Sequence, residues 1–361
     1  MAPVVQRLAA APEIEARVIV TAQHRQMLDQ VLTLFDIQPD YDLNLMVPNQ
    51  SLAGLTADIL THLDPLLSEM KPDWILIQGD TTTVMATALL GYYHHIAIGH
   101  VEAGLRTGDK WQPFPEEINR RIAGVMADLH FAPTERNRQN LLAEGVPARQ
   151  IVITGNPAID ALQAISRRPA PDSITTLLAE KGIGPGGKRL VVITAHRREN
   201  FGQPLEQIVA GLRELARVYA GKVEFVYPVH LNPNVRQVVL PGLSGLSNFT
   251  LLDPLDYLPM IHLMKHAYLV LTDSGGIQEE ATGLGIPTLV LRATTERPEG
   301  VEAGTLKLVG TDSDRIISEA RCLLDDPQAH ERMAKASNPF GDGHAAERIV
   351  TALLNYSAVS Q

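Results

Sequence analysis

Tyr268-Leu-Val-Leu-Thr272 runs directly into Asp273-Ser274-Gly275-Gly276-Ile277-Gln278-Glu279-Glu280. An apolar run that stops at small polar residues reads as a buried strand handing over to a helix. Backbone N–H groups at Ser274, Gly275 and Gly276 then point forward from a helix start, where the dipole favours negative charge. Glycine lets an anion approach the main chain closely. Glu280, further along the same helix, is placed to accept hydrogen bonds from ribose hydroxyls. A capped helix start with a surface acid is the plainer account of the segment. Arg297, in Thr294-Thr-Glu-Arg-Pro-Glu299, follows another strand end and either reaches the same anion or is an ordinary exposed arginine.

Working outward, the same alternation recurs along the chain. Val18–Thr21, Trp74–Ile77, Ile96–Gly99 and Ile151–Thr154 form one series of β-rich runs. Leu190–Thr194, Val223–Tyr227, Phe249–Leu252, Tyr268–Thr272, Thr288–Leu291 and Leu306–Val309 form a second. Apolar strands separated by helices predict parallel sheets covered on both faces, hence an α/β chain of two doubly wound, Rossmann-like domains. The 361 residues agree with two cores. The expected division is 1–156, 157–342 and a C-terminal helix in 343–361 that crosses back onto the first domain.

A net charge of −10 argues against a broad nucleic-acid surface, which needs clustered Lys and Arg. The single cysteine, Cys322, forms no internal disulfide, and no Cys/His spacing suggests structural zinc; a reducing cytoplasm is expected. No run approaches ~18 apolar residues, so no membrane span is expected. Gly182-Ile-Gly-Pro-Gly-Gly187 matches a dinucleotide fingerprint literally, but it precedes a strand and contains Pro185. It reads as an interdomain turn. The beginning is unusual, because residues 3–12 read as a helix where a doubly wound domain opens with a strand. An absent N-terminal strand and loop are the expected cause.

In the first half, polar groups gather where strands end, the place where open α/β sheets bind ligands. Asp80 follows Trp74–Ile77, with helix capping as its plain alternative. His100 and Glu102 follow the next run and, two apart, share one face of an extended segment. Pro113-Phe-Pro-Glu116-Glu-Ile-Asn-Arg120 starts a helix with Glu116 and Arg120 four apart, the spacing of a surface ion pair. Three carboxylates at one sheet edge repel one another and shift their pKa values, which favours catalysis over coincidence. In the second half, His196 in Thr194-Ala-His-Arg-Arg-Glu-Asn200 and His230 in Pro228-Val-His-Leu-Asn-Pro233 compete as the site histidine. Cationic neighbours favour His196 where a phosphate departs.

Taken in order, Gln23-His-Arg-Gln26, Gly79-Asp-Thr-Thr-Thr83, His100-Val-Glu-Ala-Gly104, Pro115-Glu-Glu-Ile-Asn-Arg120, His196-Arg-Arg-Glu199, Pro228–Pro233 and Asp273–Glu280 resemble the non-hydrolysing UDP-N-acetylglucosamine 2-epimerases. The resemblance implies a glycosyltransferase-B type fold, usually a homodimer, with no nicotinamide cofactor and no metal. It also implies interconversion of UDP-GlcNAc and UDP-ManNAc for surface-polysaccharide synthesis, by elimination of UDP to a glycal and re-addition. By this resemblance Ser274, Gly275, Gly276, Glu280 and Arg297 hold UDP, and Leu255 to Met260 frame the uracil. Asp80, Glu102, Glu116 and His196 act on the sugar beside Arg120. Gln23 and Gln26 belong to a second, activating UDP-GlcNAc site. Members open with a strand, Gly-Thr-Arg-Pro-Glu and a lysine, so the resemblance makes Met1-Ala-Pro3 the stretch just after that lysine. The missing strand is expected to lie inside the sheet and to leave two neighbours without ladder partners. The rival readings are a glycosyltransferase of the same architecture, a hydrolysing epimerase, and an inactive UDP-sugar-binding form.

Overall fold

The computed structural model describes residues 1–361 apart from 23–24, 46, 48–49 and 357–361, and apart from the side chains of Gln26 and Met27. The chain divides into two units, residues 1–161 with 341–361, and residues 162–340.

The first unit holds β1 (Ile19–Val20), β2 (Tyr41–Asp42), β3 (Trp74–Gln78), β4 (Ala97–Val101), β5 (Leu129–Ala132) and β6 (Ile151–Ile153). The second holds β7 (Arg189–Thr194), β8 (Val223–Pro228), β9 (Phe249–Leu252), β10 (Ala267–Thr272), β11 (Thr288–Val290) and β12 (Leu306–Leu308). Among the described residues a helix separates every consecutive pair of strands, and every ladder is parallel.

In the second unit the strands lie in the order β12-β11-β10-β7-β8-β9. Strand order therefore reverses between β7 and β10, and the loops leaving those two strands flank the crevice where such sheets take ligands. Five consecutive residues of β7, Leu190 to Thr194, are buried, because helices cover both faces. Val191, Ile193, Phe225, Leu269, Leu271 and Leu289 all belong to this core.

The first unit runs β3-β4-β5-β6 in one sheet and β1-β2 in another. Among the described residues no ladder joins β1 to β3, so each has a strand partner on one side only. Ile19 and Ile75 nevertheless pack against one hydrophobic cluster with Leu63, Leu67, Leu90 and Ile96. The helix Ala345–Leu354 completes this unit: Ala346 and Ile349 bury against Val4, Val101, Leu129 and Phe131. The Asp160 carboxylate accepts from the backbone N–H groups of Ala345 and Ala346 at its start.

The sequence reading missed two strands. β5 is only four residues long and carries His130, yet all four residues are buried and His130 lies opposite His100. β2 is a two-residue exposed edge without an apolar signal.

Candidate active site

In the second unit, Ser274 is the N-cap of the helix Gly275–Gly283, which begins directly after β10. The Ser274 N–H is not available to a ligand, because it donates to the Thr272 hydroxyl at 2.9 Å. That corrects the expectation of three forward-pointing amides. The amides of Gly275, Gly276 and Ile277 have no acceptor among the described residues, as the first turn of a helix requires. Arg297 lies against this turn: a Cβ added at Gly275 would sit 3.0 Å from its Nη1. The guanidinium is held there by Glu279, which accepts from Nε at 2.7 Å. Burial, with Glu279 adding to it, raises the Glu280 carboxyl to about 8, while the Tyr257 hydroxyl pulls the other way. Tyr257 opens the helix Tyr257–Lys265, in which Met260 is buried, while Leu255 is half-buried in the loop before it.

The segment after β7 meets the same crevice. His196 stacks on His230, with ring centroids 5.1 Å apart. The His230 Nδ1 accepts from the Asn232 N–H at 3.1 Å, which orients the ring. Burial lowers the His196 pKa, and His230 and Arg197 lower it further, while Asp273 opposes them. His196 is thus surrounded less by cations than expected: its own main chain faces the buried carboxylate of Asp273.

In the first unit, β3 and β4 end side by side, with Ile77 opposite His100 and Gln78 opposite Val101. Asp80 does not cap the following helix; Thr81 does. Asp80 instead receives a charge-assisted bond from Arg120 Nη2, and Asn119 Nδ2 donates to its carbonyl at 3.0 Å. His100 and Glu102 do not share a strand face. His100 ends buried, with Nε2 donating to the Gly79 carbonyl at 2.8 Å, whereas Glu102 leaves the strand with φ of +62°. That left-handed turn brings the Glu102 carboxylate beside Gly79 and within reach of Gln78 at 3.4 Å and Asn156 at 3.3 Å. A non-glycine residue in this region costs about 1–3 kcal/mol, a strain found where function fixes a side chain.

Glu116 heads the helix Glu116–Met126, but Arg120 pairs with Asp80 and Glu117 and not with it. The buried Glu116 Oε2 has no partner among the described residues. Glu117, missed by the sequence reading, is fully buried. It accepts from Arg120 at 3.2 Å and from the Thr107 and Gly108 amides, so it holds both the arginine and the loop ahead of the helix. Gln23 lies outside the described residues, as does the side chain of Gln26.

A sheet whose order reverses beside an arginine-backed helix start, carried on one chain with a second parallel unit rich in strand-end acids, is the two-domain glycosyltransferase-B type of fold. Residues 6–354 match the family model of UDP-N-acetylglucosamine 2-epimerase. The UDP-N-acetylglucosamine 2-epimerase of Escherichia coli K12 is 53% identical over 98% of this chain and 95% of its own length. A probable UDP-N-acetylglucosamine 2-epimerase of Ralstonia solanacearum is 53% identical over 99% and 96%. These alignments do not show a truncation. The crystal structure of the Neisseria meningitidis UDP-GlcNAc 2-epimerase bound to UDP-GlcNAc superposes with a TM-score of 0.90 at 46% identity, covering 99% of this chain and 96% of that one. The Methanocaldococcus jannaschii enzyme in complex with UDP-GlcNAc and UDP superposes at 0.80 and 31% identity, covering 98% and 96%. The chain belongs to the UDP-N-acetylglucosamine 2-epimerase family. Among the described residues no helix is long and apolar enough to cross a membrane.

Proposed function

We propose that the protein interconverts UDP-GlcNAc and UDP-ManNAc, without net hydrolysis, as a cytoplasmic enzyme feeding surface-polysaccharide synthesis. The C2 proton of the sugar is not acidified by a carbonyl, so direct removal is slow. Breaking the C1–O bond sends its electron pair to UDP; loss of the C2 proton to a carboxylate then leaves a C1–C2 double bond, the glycal. Protonation of C2 on the opposite face and return of UDP to C1 invert the centre. The amides of Gly275 and Gly276, Arg297 and His196 serve the departing diphosphate. Glu280 serves the ribose, and Leu255 to Met260 serve the uracil. Asp80, Glu102 and Glu116 serve C2, with Arg120 holding Asp80.

The observation that carries this reading is the acid set at residues 80–116 in a member of this family. A glycosyltransferase has little use for three carboxylates around its sugar. Incubation with UDP-GlcNAc in deuterated water is expected to place deuterium at C2 and to yield UDP-ManNAc. Transfer to an acceptor without exchange, or net release of UDP, would sink it.

A homodimer and activation by a second UDP-GlcNAc at Gln23 and Gln26 complete the proposal. Tyr92 (64% exposed), Tyr93 (61%) and Val125 (87%), at the ends of the packed helices Thr82–Tyr93 and Glu116–Met126, offer the apolar surface that self-pairing uses.

A further inference from the structure

Asp273 is the first residue past β10, its carboxylate is fully buried, and among the described residues it pairs with no cation. Its charge is satisfied by amides. Oδ2 accepts from the His196 N–H at 2.9 Å, the Arg197 N–H at 2.8 Å and Asn200 Nδ2 at 2.9 Å, and Oδ1 accepts from the His196 N–H at 3.1 Å. The Asp273 N–H returns a bond to the Thr194 carbonyl at 3.0 Å. Asn200 Nδ2 also reaches the Leu291 carbonyl at 3.2 Å, and the Tyr227 hydroxyl donates to the Ala195 carbonyl at 2.6 Å. The segment 195–200 is therefore tied to the ends of three neighbouring strands, and Asp273 supplies the greatest share of the ties. The residue after Asp273 is Ser274, at the N-cap position of the helix whose first-turn amides have no acceptor among the described residues.

We propose that Asp273 is the positioning residue that fixes His196 against the Ser274–Gly276 turn, making imidazole and amides one rigid part. This rests on the reading of that turn and His196 as the diphosphate side of the site. Held by N–H groups of the His196 segment, Asp273 acts on His196 in two ways. It sets where the ring stands, and it steadies the imidazolium when a proton arrives. The charged and titratable groups facing His196 are Arg197 from its own segment, His230 from the loop after β8, and Asp273 from the end of β10. Of these only Asp273 favours protonation.

The test uses the full chain and Asp273→Asn, which keeps size and one acceptor while removing the charge. UDP binding by calorimetry is expected to stay within about threefold, because the helix start is untouched. The kcat for C2 exchange is expected to fall on the order of 10²-fold with KM little changed, since misplaced groups are that costly. The His196 imidazole resonance, identified by its loss in His196→Gln, is expected to titrate at lower pH. Wild-type kcat with an unmoved titration overturns the proposal, and so does loss of UDP binding in proportion to kcat, which marks a merely structural role. Asn200→Ala removes one donor and keeps the charge, so it covers the case in which Asp273→Asn does not fold. About a tenfold loss in kcat with UDP binding retained supports the proposal, and wild-type kcat overturns it. A wild-type protein that binds UDP but exchanges no C2 proton defeats the epimerase reading instead, while the His196 titration still reports on Asp273.

Discussion

The turn at Ser274–Gly276 and the acid set at Asp80–Arg120 reach their working geometry by opposite routes. At the first, the main chain supplies the charge: two glycine amides and a helix dipole stand where β10 ends, and one arginine is braced behind them by Glu279. At the second, the side chains carry the charge and other side chains must hold them. Asp80 depends on Arg120, Arg120 on Glu117, and Glu102 on Gln78 and Asn156. A backbone site is fixed by the fold itself, whereas a side-chain site needs a supporting layer whose loss is felt as both stability and rate.

That contrast can be broken or sharpened in four ways. Asp80→Asn is expected to lower the kcat of C2 exchange by ~10²–10⁴-fold with UDP affinity nearly unchanged, measured by deuterium incorporation and calorimetry. Equal losses in both would erase the distinction between the regions. Arg120→Ala removes the partner of Asp80 and one of the partners of buried Glu117, which keeps Arg121 at 3.5 Å and two amides, and is expected to cost about 1–3 kcal/mol in urea unfolding. Gly276→Ala meets nothing within 4 Å in the protein, so folding is expected to be untouched. UDP binding should nevertheless weaken by about tenfold, roughly 1.4 kcal/mol, if a diphosphate comes as close as the turn allows. Wild-type affinity would move the diphosphate away from Gly276.

The smallest effect is in pH. His100 and His130 are buried, and burial brings both down to about 4. Unfolded histidine takes its proton near 6.5, so the stability they confer is whole above that pH and is lost as pH falls toward 4. Glu280 behaves oppositely. Raised to about 8, it takes up its proton in the folded state first, so its share of stability is whole below about 4.5 and is lost as pH rises through 8. Acid should weaken the first unit and alkali the second. Both tryptophans, Trp74 and Trp111, lie in the first unit, so their fluorescence should report the acid transition, and Glu280→Gln should flatten the alkaline one. A single transition insensitive to Glu280→Gln would refute the division.

Much of this was legible in the sequence because buried parallel strands spell themselves as unbroken apolar runs. β7, β8 and β10 stand where those runs stand. The junction at Thr272–Glu280 was legible for the same reason, since strand end, glycines and helix start are contiguous. What escaped was the supporting layer. Glu117 differs from Glu116 only in facing inward with Arg120, and the cue was its spacing to Arg120, Ala123 and Gly124 on the buried side of one helix. Asp273 looked like part of the turn when it belongs equally to residues 196–200. The pairing of Arg120 with Asp80 is tertiary, and no spacing within one helix reveals it. Neither does a sequence show that Glu102 leaves its strand through a left-handed turn.

The division of the chain carries a consequence for how the protein is made. Residues 162–340 are contiguous, whereas their companion unit takes Val4 from the opening helix and Ile349 from a helix after Phe340. Emerging from a ribosome, the contiguous unit can finish its core while its companion still waits for the helix Ala345–Leu354. For that interval Val101, Leu129 and Phe131 lack their cover, and the early half is the part that a chaperone would have most reason to shelter.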